Sequence, residues 1–212
     1  MAENLLNSIR LLTGNELQEQ LDSTVPSNML PLGYISQLSA PERTTVNCAI
    51  LLAWTVTNGT QAPREMQLRA TLATYYGQDS VVNAGTESGK TLPIALNILL
   101  DDPQAQGITL TISPLKRLQI TQVQSSSICI LRSPDSFQET DFKSRYGIPT
   151  IAVNKDTPRE DKYWHENIYS PATKRPGINR HIIATVKQLF KSPEGHLPRL
   201  AILLGPNSTN SE

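Results

Sequence analysis

The chain has 212 residues, 38% of them hydrophobic, which is enough for one domain with its own core and an appended segment. Nineteen Lys and Arg balance nineteen Asp and Glu, so no global field draws it toward nucleic acid or an anionic membrane, and any nucleic-acid contact must rest on local clusters. Cys48 and Cys129 form no CxxC pair and fit a reducing compartment. No stretch of about eighteen apolar residues offers a membrane span, and Glu3, Arg10, Glu16 and Glu19 interrupt any signal-peptide core.

In chain order, Leu5, Leu6, Ile9 and Leu12 recur at helical spacing over 2–12, and Gly14 supplies a stop. Residues 23–43, rich in Ser, Pro and polar side chains, predict a linker ahead of an apolar helix over 44–56, which TNGTQ ends. Pro63 is suited to open the next helix, because the N–H it lacks would have no partner there, and that helix runs to Gly77. The period then changes. DSVVNA (79–84) reads as a short buried strand, a glycine-containing loop follows, and TLPIALNILL (91–100) reads as a helix. GITLTIS (107–113) predicts a strand, PLKRLQITQ (114–122) a helix, IPTIAVN (148–154) a strand, and HIIATV (181–186) a last strand with KQLF behind it. Strands alternating with helices predict an α/β fold with a parallel sheet covered on both faces. GPNSTNSE (205–212) has nothing to bury and predicts a disordered tail.

The loop carries the chemistry. Ala84, Gly85, Thr86, Glu87, Ser88, Gly89, Lys90 and Thr91 have the spacing of a phosphate-binding P-loop, with Ala in the first slot where the stricter pattern has Gly. In such a loop, backbone N–H groups and the following helix start face the phosphates. The Lys90 ammonium reaches the β and γ phosphates, and the Thr91 hydroxyl ligates Mg²⁺. Glu87 opposes this: at roughly 5 Å and an effective dielectric near 20, its carboxylate repels a phosphate charge by about 3 kcal/mol. That corresponds to about a hundredfold in affinity, so binding is expected to be impaired but not abolished.

Four stretches, PREMQLRATLATYYGQDSVVNAGTESGKTLPIALNILLDDP, TLTISPLKRLQITQ, DFKSRYGIPTIAVNKDTP and INRHIIATVKQLFKSPEGHLPRLAILL, together resemble the start of RecQ-like superfamily 2 ATP-dependent DNA helicases, especially those of mushroom-forming fungi. The resemblance covers 61–204. It implies an incomplete first RecA-like P-loop domain there, with residues 1–60 as a helical extension and linker. It further implies ATP and Mg²⁺ as cofactors, single-stranded or partly duplex DNA as partner, 3′–5′ helicase activity and a nuclear location, with no membrane.

Residue by residue, Arg64 and Gln67 are similar to the family's adenine-reading motif, although Pro63 stands where an aromatic is common. Ala84–Thr91 resembles its motif I, with Lys90 and Thr91 as the catalytic pair. Ser113, Pro114 and Leu115 resemble a motif that contacts single-strand phosphates, and Thr185 resembles the phosphate-facing hydroxyl of a later one. Residues 123–138 interrupt the resemblance; Val codons begin with GT and one Gln codon is CAG, so a retained intron is the expectation, and transcript sequencing would decide it.

No Asp-Glu-Ala-His-type motif follows HLPRLAILL, and the second domain with its arginine finger has no counterpart, so the chain alone is expected neither to hydrolyse ATP efficiently nor to unwind DNA. The alternative is a degenerate, non-catalytic P-loop binding module. WHENIY (164–169) lacks the second His of a zinc helix, and His165, His181 and His196 read as packed or surface residues.

Overall fold

The computed structural model describes residues 2–85, 88–102, 107–113, 142–153, 157–168, 179–190 and 200. Two compact units make up the chain, Met1–Ala105 and Gln106–Glu212. The expected helix over 114–122, the interrupting residues 123–138 and the tail 205–212 lie outside the described residues.

The first unit is helical: α1 (Ala2–Arg10), α2 (Gly14–Thr24), α3 (Leu32–Ile35), α4 (Ala40–Val56), α5 (Glu65–Tyr75) and α6 (Thr91–Leu100). Every residue of α4 from Val46 to Ala53 is buried. A helix apolar on all sides belongs at the centre of a core, and α1, α2, α5 and α6 all pack against it. Residue 60 lies within this first unit. Within it, burial pushes the Cys48 thiol up to about 11, partly opposed by Arg10. The Arg10 guanidinium donates from Nε to the Leu99 carbonyl at 2.6 Å, putting a cation at the carboxyl end of α6, where the helix dipole favours it.

Three local expectations change. The linker predicted over 23–43 is largely helical: α2 ends at Thr24, a 3₁₀ turn spans Ser27–Met29, α3 follows, and α4 starts at Ala40. Pro63 precedes α5 instead of opening it, because Arg64 is the N-cap and Glu65 the first helical residue. The strand expected over 79–84 does not form; those residues have no regular structure, and Val81 is 99% exposed. Strand N–H and C=O groups need ladder partners, and the other regular elements of the first unit are helices, which offer none.

The second unit contains a three-stranded parallel sheet of β1 (Thr109–Ser113), β2 (Thr150–Val153) and β3 (His181–Thr185), in the order β1-β3-β2. Helix α7 (Asp161–Asn167) lies between β2 and β3 in sequence. On one face Ile151, Val153, Ile182 and Ala184 join Trp164, Ile168 and Leu200 in a core. The chain is thus mixed α/β with a small parallel sheet. Among the described residues no helix is long and apolar enough to cross a membrane.

The opposite face carries a polar row. His181 is fully buried; its Nε2 lies 2.8 Å from Thr111 Oγ1 and its Nδ1 3.3 Å from Thr150 Oγ1. Thr150 donates its hydroxyl proton to the Ile148 carbonyl at 3.0 Å, so toward His181 it can only accept. Nδ1 therefore carries the imidazole proton, and Nε2 accepts from Thr111. Phe142 covers the ring at a centroid distance of 4.2 Å. Burial lowers the His181 pKa to about 4. A neutral histidine thus joins β1, β2 and β3 as a packed residue.

Candidate phosphate loop and strand-end site

The loop ahead of α6 is built from its own backbone and one side chain of α5. Gly89 has φ +75°, a conformation that L side chains rarely adopt. A Cβ there would also run into Gln67 Nε2. Both properties make glycine the residue required at 89. Lys90 follows as the N-cap of α6, and half-buried Thr91 is the first helical residue.

Gln67 is 1% exposed and fastens the loop. Its Nε2 donates to the carbonyls of Ser88 at 3.2 Å and Gly89 at 3.0 Å, while its Oε1 accepts the Arg64 backbone N–H at 2.8 Å, capping α5. Flipping the amide would set oxygen against two carbonyls and NH₂ against an N–H, so the hydrogen bonds themselves fix its orientation. Thr71 adds a hydroxyl donation to the Gln67 carbonyl at 2.8 Å. The Gln67 side chain therefore faces the loop backbone, whereas the Arg64 residue is exposed.

The Lys90 ammonium folds back over the loop and donates to the carbonyls of Ala84 at 2.8 Å and Gly85 at 3.2 Å. Between these bonds and the Gln67 anchor stands Ser88, whose hydroxyl oxygen is buried and has no hydrogen-bond partner. A buried hydroxyl without a partner costs about 1–3 kcal/mol. Thr86 and Glu87 lie outside the described residues. The structure therefore brings together Arg64, Gln67, Ala84, Gly85, Ser88, Gly89, Lys90 and Thr91 in the first unit.

In the second unit, Ser113 and Thr185 are the last residues of adjacent parallel strands and lie directly opposite each other in register. Neighbouring strands are about 4.8 Å apart. Ligands of parallel α/β sheets bind outside the carboxyl ends of strands, and these two residues share such an end. Pro114 and Leu115 lie outside the described residues. Sequence reading missed two features, the Gln67 grip on the loop and the Thr111–His181–Thr150 row. Both are long-range interactions between polar residues whose spacing in sequence has no period. Comparison with protein-family models, curated proteins and solved structures returns no match.

Proposed function

We propose that this chain is the nucleotide-binding part of a RecQ-like ATP-dependent DNA helicase, taking ATP–Mg²⁺ on Ala84–Thr91 and single-stranded nucleic acid across the strand ends at Ser113 and Thr185. The observation that carries the reading is the buried Ser88 hydroxyl without a partner, in a loop closed by an ammonium and followed by a helix. A phosphate oxygen would give that hydroxyl an acceptor and would compete with two loop carbonyls for Lys90. Gly85 and Gly89 would offer backbone N–H groups, the Ser88 N–H being already donated to the Gly85 carbonyl at 3.4 Å, and the Thr91 hydroxyl would meet Mg²⁺. Bound ATP–Mg²⁺ supplies the transferable phosphoryl group and neutralises its charge. The chain's own residues bind and orient it. The pairing of Ser113 with Thr185 supports the nucleic-acid part, because two hydroxyl residues on neighbouring strand ends suit successive phosphates of one strand.

One observation favours a second reading, a degenerate P-loop module that binds without turnover. The residues ahead of the loop form no strand, so the loop is anchored on one side by Gln67 and α6. Binding of a fluorescent ATP analogue, with and without Mg²⁺, tests the nucleotide assignment. Wild type should bind, Lys90→Ala should lose about 10–100-fold through the missing charge-assisted hydrogen bonds, and Glu87→Gly should bind tighter. Absence of binding even in Glu87→Gly rejects the nucleotide site. Mg²⁺-dependent binding without efficient turnover fits both readings, because this chain alone is expected not to hydrolyse ATP efficiently.

A further inference from the structure

A cavity of about 440 Å³ opens at the amino ends of β2 and β3, at the far end of the sheet from Ser113 and Thr185. Pro149 and Ile151 give it apolar lining, Tyr163 and Asn167 of α7 and Asn179 ahead of β3 give it polar lining, and exposed Lys143 adds a cation. Its volume lies in the range of ligand sites. We infer that this cavity binds the carboxyl-terminal end of an apolar peptide, with the two asparagines holding peptide groups, Pro149 and Ile151 meeting an apolar side chain, and Lys143 facing the terminal carboxylate.

The asparagines decide the class of ligand. Asn179 donates from Nδ2 to the Asn167 carbonyl at 3.2 Å, and Asn167 donates from Nδ2 to the Tyr163 carbonyl at 2.8 Å. Each carboxamide thus spends one hydrogen inside the protein and keeps the other hydrogen and its oxygen. A donor beside an acceptor matches the C=O and N–H of a peptide group, and main-chain hydrogen bonds of this kind are how extended peptides are held. The backbone ahead of β2 and β3 has no donors to add. The Gly147 N–H goes to the Lys143 carbonyl at 3.2 Å and the Ile148 N–H to the Phe142 carbonyl at 2.9 Å, Pro149 has none, and the Arg180 and His181 N–H groups both go to the Pro149 carbonyl. A bare phosphate therefore finds no amide nest here, and a purely apolar ligand would strip water from the carboxamides without replacing it. A nucleobase edge also matches a carboxamide, but base binding relies on stacking, and the Tyr163 side chain is packed against the core of the sheet.

The experiment is an NMR titration of the labelled chain, following the side-chain NH₂ signals of Asn167 and Asn179. The probes are N-acetyl-alanyl-leucine, its carboxyl-terminal amide, 4-methylpentanoate, which keeps the apolar group and carboxylate without a peptide group, and uridine monophosphate. The acetylated dipeptide should move both signals. Its amide should bind about threefold more weakly, since an exposed ion pair contributes little, and 4-methylpentanoate at least about tenfold more weakly. Asn179→Asp keeps the shape but turns a donor into an acceptor, and should weaken the dipeptide about tenfold. Unmoved signals with the dipeptide overturn the inference, as does binding of 4-methylpentanoate or of the amide that equals it. Tighter binding of uridine monophosphate at the same signals gives the cavity to a nucleobase and overturns it too. The comparison of probes on wild type needs no variant to fold.

Discussion

Gly89 and Gly77 both adopt positive φ, at +75° and +69°, but their surroundings differ. A Cβ at Gly77 would meet nothing within 4 Å, whereas one at Gly89 would collide with Gln67 Nε2. Gly77→Ala should therefore cost only the left-handed backbone penalty, about 1–2 kcal/mol. Gly89→Ala should cost more, and should lower triphosphate affinity by displacing Gln67 from the loop. Urea midpoints of the two variants, alongside ATP-analogue binding, measure the difference; equal midpoints and equal affinities would remove Gln67 from the loop's support. His181 makes a second residue-scale prediction. Its folded pKa of about 4 lies below the ordinary 6.5, so the stability tied to the neutral ring is complete above pH 6.5. It is lost as the unfolded chain takes up a proton the fold refuses, between pH 6.5 and pH 4, and amounts to about 3 kcal/mol. Acid titration of Trp164 fluorescence should show this slope in wild type, and His181→Gln should flatten it.

At the scale of elements, two helix starts use the same reciprocal cap. Thr13 and Glu16 open α2, and Ser39 and Glu42 open α4, with the Glu carboxylate accepting the cap residue's backbone N–H at 2.8 Å and 2.9 Å. These hydrogen bonds hold both carboxyls below the usual range, first through the Thr13 backbone for Glu16 and first through the Ser39 hydroxyl for Glu42. The caps are therefore strongest above the ordinary carboxylate pKa and weaken as pH falls through the depressed one. Ser39→Ala and Thr13→Ala should each cost about 1 kcal/mol at neutral pH, read as a shift in the urea midpoint. Ser39→Ala concerns the more central helix. Both caps are legible as Ser/Thr-x-x-Glu, and that signal marks the start of α2 and moves the start of α4 from 44 to 40. The apolar helices α4 and α6 and the strands β1, β2 and β3 were legible because continuous or β-branched apolar runs report burial directly. The strand before the loop was misread for a physical reason: two adjacent valines meet the compositional rule, but a strand also needs a neighbour, and composition cannot name one. At the candidate site, the turn at Gly89 into α6 was legible from the sequence. The role of Gln67 was not, because it depends on a hydrogen bond across twenty-two positions.

For the whole molecule, the proposed ligands fall on different units, and each unit carries one tryptophan. Trp54 in α4 is half-buried, with the Gly59 turn against its indole. Trp164 is 4% exposed and donates from Nε1 to the Pro158 carbonyl at 2.6 Å. Trp54→Phe and Trp164→Phe therefore turn the remaining indole into a reporter of one unit. A ligand that binds only the folded form stabilises it by about 2.7 kcal/mol at a hundredfold excess over Kd, and acts first on the unit that holds it. ATP–Mg²⁺ should raise the urea midpoint seen by Trp54, while a single-stranded oligonucleotide should raise the one seen by Trp164. Thr185→Val should remove the second shift and leave the first. If phosphate recognition dominates, the oligonucleotide shift should also shrink as salt rises, by about 0.7 logarithmic units of affinity per logarithmic unit of salt for each phosphate that the chain neutralises. Oligonucleotide acting on the Trp54 transition alone would mean that strand-end hydroxyls do not hold the nucleic acid, and that the basic groups of the first unit do.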